Sequence, residues 1–294
     1  MNSAVVRVPA STSNLGPGFD ALGLAVKLYN KVTVTRVAAR GVTITSPIAD
    51  KDRAGATAML AEAAKAYFKG AKISSFGFEI ALAGDVPMAR GLGSSVTARL
   101  GCVAALNEIA DELLSRQQLF ELVTELEGHP DNAGPACFGG FTVAGKVGDG
   151  IRCLRFKVSP KVKFVTLVPD FEISTPEARK LVPQTFSKAD TVHNINRAAL
   201  ISAAFASGQM EALRGCFDDR VHQPYREKLI PELSRVIRAG EKAGAIGGWL
   251  SGSGSTIMCL TLESPESVGE AMRRVLPRSV FHVLGADNEG YRIL

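Results

Sequence analysis

Between residues 76 and 112 a strand-like run, a glycine-rich turn and a helix follow one another, and this sequence limits the fold more than any other. Phe76 to Leu82 reads as a strand, and Gly84-Asp85-Val86-Pro87-Met88-Ala89-Arg90 then leads into Gly91-Leu92-Gly93-Ser94-Ser95. From Ser94 the pattern turns helical: Val96, Leu100, Val103 and Ala110 share one face, to about residue 112. The glycines permit positive φ and a close backbone approach. A helix start offers free N–H groups and a positive dipole end to an anion. The two serines can cap the helix, donate to a phosphate or ligate a divalent cation. The same residues also suit an ordinary serine-capped helix after a tight turn. There is no GxxxxGK[ST] run, and Val96 breaks a GxGxxG reading, so neither P-loop nor dinucleotide fingerprint is present.

Around this segment, elements run in clusters. Ala4 to Pro9 is strand-like, followed by a Ser/Gly/Pro-rich loop through Asp20. Residues 31–46 alternate apolar and polar, as paired strands would. Residues 57–69 are helical and stop at Gly70, a second helix spans about 116–127, and strands are expected near 139–145 and 151–157. Pro160 opens a second region, with strands near 163–168, 256–262 and 279–285. Helices are expected there near 175–181, 190–206, 209–216, 230–243 and 265–275. Clustered strands and helices with no internal repeat predict α+β rather than a doubly wound parallel sheet. A chain of 294 residues exceeds the commonest single core, so two lobes are expected, 1–159 and 160–294.

Composition narrows the partners. The formal charge is +5 with 34 basic and 29 acidic residues, but no block of like charge forms a nucleic-acid stripe. A diffuse positive bias suits an anionic small substrate. Five cysteines, with no C-x-x-C pair, suggest neither a disulfide framework nor a zinc site and fit a reducing cytoplasm. The opening residues MNSAVVRVPAST lack a signal-peptide pattern, and no run approaches the ~18 apolar residues of a membrane span, so no membrane partner is expected.

Other segments carry polar chemistry. Glu127-Gly128-His129-Pro130-Asp131-Asn132 packs an acid, an imidazole and a carboxamide into one turn, where turn-stabilising roles are equally open. Glu121, between Phe120 and Leu122, could ligate Mg²⁺, or share a solvated helix face with Glu125 and Glu127. Ser251-Gly252-Ser253-Gly254 could close over the first glycine loop or simply connect strands. Arg179 and Arg226 could fork a substrate carboxylate, or be surface residues.

Four motifs occur in order along the whole chain. They are Pro9-Ala10-Ser11-x-Ser13-Asn14-Leu15-Gly16-x-Gly18-Phe19-Asp20, Gly91-Leu92-Gly93-Ser94-Ser95, Glu127-Gly128-His129-Pro130-Asp131-Asn132 and Ser251-Gly252-Ser253-Gly254. Together they resemble the GHMP kinase superfamily. The long first motif, the EGHPDN run and His222-Gln223-Pro224-Tyr225-Arg226 point within it to the homoserine kinase family.

The resemblance implies a ribosomal-protein-S5-like N-terminal lobe, a ferredoxin-like C-terminal lobe and an active site between them. It implies transfer of the ATP γ-phosphoryl group to the hydroxyl of L-homoserine, with Mg²⁺, in a cytoplasmic and often dimeric protein. By motif position, Pro87, Met88, Ala89, Arg90, Gly91, Leu92, Gly93, Ser94, Ser95, Val96 and Thr97 would wrap the nucleotide phosphates. Ser95 and Glu121 would hold Mg²⁺; Asn14, Asp20, His129, Arg179 and Arg226 would meet homoserine, with Asp20 on its ammonium and the arginines on its carboxylate. Asp131 and Asn132 are the catalytic candidates, although a carboxamide is no base, and homoserine kinases often use no dedicated base. Val96-Thr97, Ser255 and Ala133-Gly134 depart from the family pattern without removing a functional group. The alternatives are a mevalonate- or shikimate-type GHMP kinase and a catalytically inactive ligand-binding member of the fold.

Overall fold

The computed structural model describes residues 2–294. Its first part runs β1 (Ser3–Ser13), β2 (Leu22–Val37), β3 (Val42–Ile44), α1 (Asp50–Ala71), β4 (Gly77–Gly84), α2 (Ser94–Ile109), α3 (Arg116–Glu127), α4 (Ala133–Phe138), β5 (Phe141–Val147) and β6 (Gly150–Phe156). The second part runs β7 (Lys163–Pro169), α5 (Thr175–Lys180), α6 (Lys188–Ser207), α7 (Gln223–Arg226), α8 (Leu233–Lys242), β8 (Gly247–Leu250), β9 (Ile257–Thr261), α9 (Pro265–Val275) and β10 (Ser279–Leu284). A last strand, β11 (Arg292–Ile293), crosses back and pairs with β1.

The second sheet has the order β10-β7-β9-β8 with all neighbours antiparallel. A β-α-β-β-α-β chain in that order is the ferredoxin-like arrangement. The first sheet has the order β11-β1-β2-β4-β3, with β5 joining β2 and β6 joining β5. The α+β, two-lobe architecture is therefore present. The change of sheet falls near residue 160, but residues 285–294 return to the first lobe: Gly285 O accepts from Lys27 N (2.9 Å) and Asp287 O from Gly140 N (2.6 Å).

Helix α2 organises the first lobe. Twelve of its sixteen residues are buried, so it is apolar on nearly every side and packs on β1, β2 and α1 at once. Helix α3 begins with a reciprocal cap between Ser115 and Gln118 and ends at Gly128, whose φ of +83° suits glycine. Within 31–46 both strands form, yet β3 does not pair with β2; it runs parallel to β4. Residues 209–216, expected as a helix, give only a 3₁₀ turn at Met210–Leu213. The short elements β8, β11, α4 and α7 carry too few residues for periodicity to reveal.

Candidate active site

Three loops meet where the lobes face each other: residues 11–20, 87–93 and 251–254. Gly91 and Gly93 have φ of +74° and +68°, and neither could carry a side chain. A β-carbon on Gly91 would lie 2.1 Å from Ser251 O, and one on Gly93 would lie 2.3 Å from Ser11 Oγ. Ser251 Oγ donates to Gly91 O (2.6 Å), Gly252 N to Ser13 O (3.3 Å) and Thr256 N to Arg90 O (3.1 Å). The second glycine–serine loop thus locks the first. Gly93 is the residue preceding α2, so the helix terminus opens onto the cleft together with Ser94 and Ser95.

The residues expected around phosphate divide here. Ala89, Gly91, Gly93, Ser94 and Ser95 line the polar cleft. The side chains of Leu92 and Val96 are in the core, and Thr97 is buried between Ser94 O (2.8 Å) and Asn30 Nδ2 (2.8 Å). Arg90 is also committed elsewhere: its guanidinium donates to Pro169 O (3.1 Å) and Asp170 O (3.3 Å), stapling the loop to the other lobe. Met88 borders a neighbouring apolar cavity, and Pro87 borders neither. Within α2 helical geometry explains why Val96 and Thr97 leave the cleft that Ser94 and Ser95 line, because consecutive residues of a buried helix cannot all face one ligand.

Glu121 does not reach the cleft. It accepts from Gln117 Nε2 (2.8 Å) one turn back on α3. Glu127, the final residue of α3, takes the position instead: its Oε2 accepts from Ser95 Oγ (3.1 Å) and its Oε1 from Arg99 (2.7 Å). Arg99 also binds Leu126 O (3.1 Å) and so fixes the end of α3. The sequence held this signal, since Glu127 begins the EGHPDN run; a general surface-helix rule obscured it.

Beyond Gly128 the turn points three polar side chains inward. His129 Nδ1 lies 2.5 Å from Asp131 Oδ1, which also accepts from Asn132 N (2.9 Å). Burial alone would lower the His129 pKa, but the hydrogen bond and charge of Asp131, with Asp20 nearby, raise it above the ordinary histidine value. Asn132 donates to Ser13 Oγ (3.0 Å) and accepts from Ser11 Oγ (2.8 Å), tying the turn to β1.

On the opposite wall Arg179, from the short α5, grips Asp20 through both nitrogens (2.7 and 3.1 Å). The two groups expected to divide a zwitterion between them therefore pair with each other here. Burial opposes the Arg179 charge, but Asp20 outweighs it and raises its pKa. Asn14, with φ of +69°, accepts from Asp20 N (3.0 Å) and donates to Gly252 O (3.3 Å). Arg226 is buried and donates to Gly252 O (2.8 Å); burial and then Arg179 lower its pKa to about 10, leaving it charged at neutral pH. His222 is fully buried and neutral, held down mainly by burial. It donates Nε2–H to Gly16 O (2.8 Å) and accepts from Arg226 at Nδ1 (3.2 Å). Phe19 stacks on this imidazole and lies under both guanidiniums. Sequence reasoning did not assign Phe19, His222, Ser11 or Ser13 a role.

Two cavities share Ala89, Ser94 and Ser95. One is polar, about 90 Å³, and bordered by Asp20, Glu127, His129, Asp131, Arg179 and Arg226. The other is about 480 Å³ and mostly apolar, bordered by Ile48, Met59, Leu82, Val86 and Met88 among others. The helix terminus thus sits between a room for a small polar molecule and a room for a larger, flatter one. Oxygen and nitrogen donors of Asp20, His129 and Asp131 lie within 4.8 Å of one another, but Arg179 neutralises the first and the other two hold each other.

Two stretches match known domain families, the GHMP kinases N terminal domain over residues 57–140 and the GHMP kinases C terminal domain over residues 200–278. The fold and cleft are thus those of a GHMP-type small-molecule kinase. Over its full length the chain is 35% identical to a homoserine kinase of Clostridium kluyveri, covering 99% of that protein. It is 37% identical to one of Caldicellulosiruptor bescii, covering 97% of this chain and 95% of the other. The crystal structure of homoserine kinase from Cytophaga hutchinsonii superposes with a TM-score of 0.90 at 25% identity, covering 100% of this chain and 98% of the other. A mevalonate kinase structure shares the fold at a TM-score of 0.69 and 16% identity. The chain belongs to the homoserine kinase family of the GHMP kinases.

Proposed function

We propose that this chain transfers the γ-phosphoryl group of ATP to the side-chain hydroxyl of L-homoserine. The observation that carries this reading is the terminus of α2, set between a large apolar cavity and a small polar one lined by Asp20, Arg179 and Arg226. The base and ribose of ATP would occupy the apolar cavity and its phosphates the N–H groups of Gly93 to Ser95. Homoserine is a zwitterion with a hydroxyl. Its carboxylate would take an arginine fork and its ammonium Asp20, opening the Asp20–Arg179 pair on binding. Mevalonate and shikimate lack the ammonium and would leave Asp20 without a cationic ligand partner.

In the reaction the homoserine oxygen forms a bond to phosphorus as the bond to the β-phosphate oxygen breaks. The hydroxyl proton passes to the transferred phosphoryl group. Asp131 Oδ1 already accepts from His129 and Asn132, so its lone pairs are engaged within the turn rather than free for the hydroxyl proton. Asp131 and Asn132 would instead shape the acceptor pocket. Ser95 Oγ and Glu127 Oε2 are adjacent oxygen donors at the phosphate end and suit Mg²⁺, which prefers such ligands. Bound there, Mg²⁺ would neutralise charge on the phosphates. Cytoplasmic action is supported by five unpaired cysteines, and no helix among the described residues is long and apolar enough to cross a membrane. A coupled ADP-release assay with L-homoserine, mevalonate and shikimate tests the reading. Activity is expected on homoserine alone; none on homoserine would overturn it.

A further inference from the structure

The first glycine–serine loop is held at its middle by the second lobe. Gly91 O accepts from Ser251 Oγ, Arg90 O from Thr256 N and Ala89 O from Ile173 N (3.2 Å). Its two ends are held by the first lobe, through one side chain. Asn30 of β2 accepts at Oδ1 from Val86 N (3.3 Å), just before the loop. Its Nδ2 donates to Thr97 Oγ1 (2.8 Å), just after the loop. Thr97 Oγ1 in turn donates to Ser94 O (2.8 Å), in the first turn of α2.

Packing brings these groups together. Asn30 and Val32 are two residues apart on β2 and share a face, while Thr97 and Gly101 are one turn apart on α2. A β-carbon on Gly101 would lie 2.4 Å from Val32 Cγ2, so the glycine lets α2 settle on the strand and sets Thr97 over Asn30. Gly84 stands opposite Asn30 in the ladder and clears the other side. A β-carbon there would lie 2.6 Å from Asn30 Oδ1.

The bonds run in one direction. A backbone N–H can only donate, so Val86 fixes Oδ1 as the acceptor and turns Nδ2 toward Thr97. The hydroxyl of Thr97, accepting there, spends its one proton on Ser94 O. Thr97 is fully buried. Asn30 borders the large apolar cavity, yet its oxygen and its nitrogen are both engaged by the loop. We infer, on the reading that the α2 terminus receives the phosphates of ATP, that Asn30 acting through Thr97 is a positioning residue. It clasps the two ends of the loop, so that the N–H groups of Gly93 to Ser95 are aimed before the nucleotide arrives.

Steady-state kinetics of Asn30→Ala and Thr97→Val test the clasp. The first removes both contacts; the second keeps the volume of the side chain and removes the hydroxyl. Each is expected to raise KM for ATP ~10-fold, as the loss of two neutral hydrogen bonds would. KM for homoserine and the inhibition constant of adenosine, which has no phosphate, should stay within about twofold of wild type. Thr97→Ser restores the hydroxyl and should recover most of the affinity for ATP. A general loosening of the fold would raise both KM values together, and a direct contact of Asn30 with the nucleoside would raise the adenosine constant. Either result overturns the inference, as does an unchanged KM for ATP in folded Thr97→Val, whether or not Asn30→Ala folds. A wild type that turns over no ATP with homoserine would overturn the assignment of the reaction itself.

Discussion

At Gly91–Ser95 the groups offered to a ligand are mostly backbone, and most neighbouring side chains leave for the core or the other lobe. At Glu127–Asn132, across the same cleft, the working groups are side chains, each oriented by a hydrogen bond: Glu127 by Arg99, His129 by Asp131, Asn132 by Ser11 and Ser13. The first region is built from what cannot be added, the second from what cannot be removed. One tolerates changes of chemistry but not of volume; the other tolerates little change of chemistry.

The largest effect expected is on the first region. Gly93→Val places branched carbons onto Ser11 Oγ, and by analogy with lost oxyanion donors should cut kcat/KM by ~10³-fold or more. Gly128→Ala is the control: nothing lies within 4 Å of it, so only its positive φ is penalised. It should cost about 1 kcal/mol of stability in a denaturant titration, with turnover retained.

On the side-chain side, Glu127→Gln should lower kcat/KM by ~10²-fold and weaken dependence on added Mg²⁺, whereas Glu121→Gln should stay within about twofold. Equal effects of the two would return Glu121 to the site. Arg179→Met should raise KM for homoserine by ~10-fold or more, the loss of a charged hydrogen-bonded contact, and leave KM for ATP unchanged.

Smaller still is the effect expected of Asp131→Asn. Turnover should fall only ~10-fold if the carboxylate positions rather than deprotonates; a loss of ~10³-fold with binding intact would make it the base. The same substitution should lower the His129 pKa in an NMR titration, because the hydrogen bond and charge of Asp131 do most to raise it. The sign of the linkage follows. A histidine whose folded pKa is raised adds stability that is full below the unfolded value of about 6.5 and fades as pH rises through the folded pKa. His129→Gln should therefore destabilise most at acid pH.

How far the sequence can be read follows the same division. The strand–turn–helix around Gly91 was legible because glycine spacing and helical periodicity are local. Helix α3 was legible to its last residue because Ser115 and Gly128 mark its ends. Glu127 was misassigned to solvent because a helix's final side chain is aimed by the turn after it, which periodicity ignores. The partners of Asn132 lie more than a hundred residues away on β1, and Arg179 meets Asp20 across 159 residues. Such pairings depend on sheet order. The expectation that the strands within 31–46 pair with each other failed for the same reason, since β3 joins β4 instead of β2: alternation marks a strand, not its neighbour.

The return of residues 285–294 to the first sheet makes the second lobe a long insertion between β6 and β11. A chain emerging from the ribosome therefore presents its first sheet with one place unfilled beside β1 until Arg292 and Ile293 have been made. Synthesis at ~5–20 residues per second would keep that edge open for several seconds. By Leu284, before Arg292 and Ile293 are made, the ferredoxin-like lobe already has all four of its strands, so the lobe written second can be the one finished first.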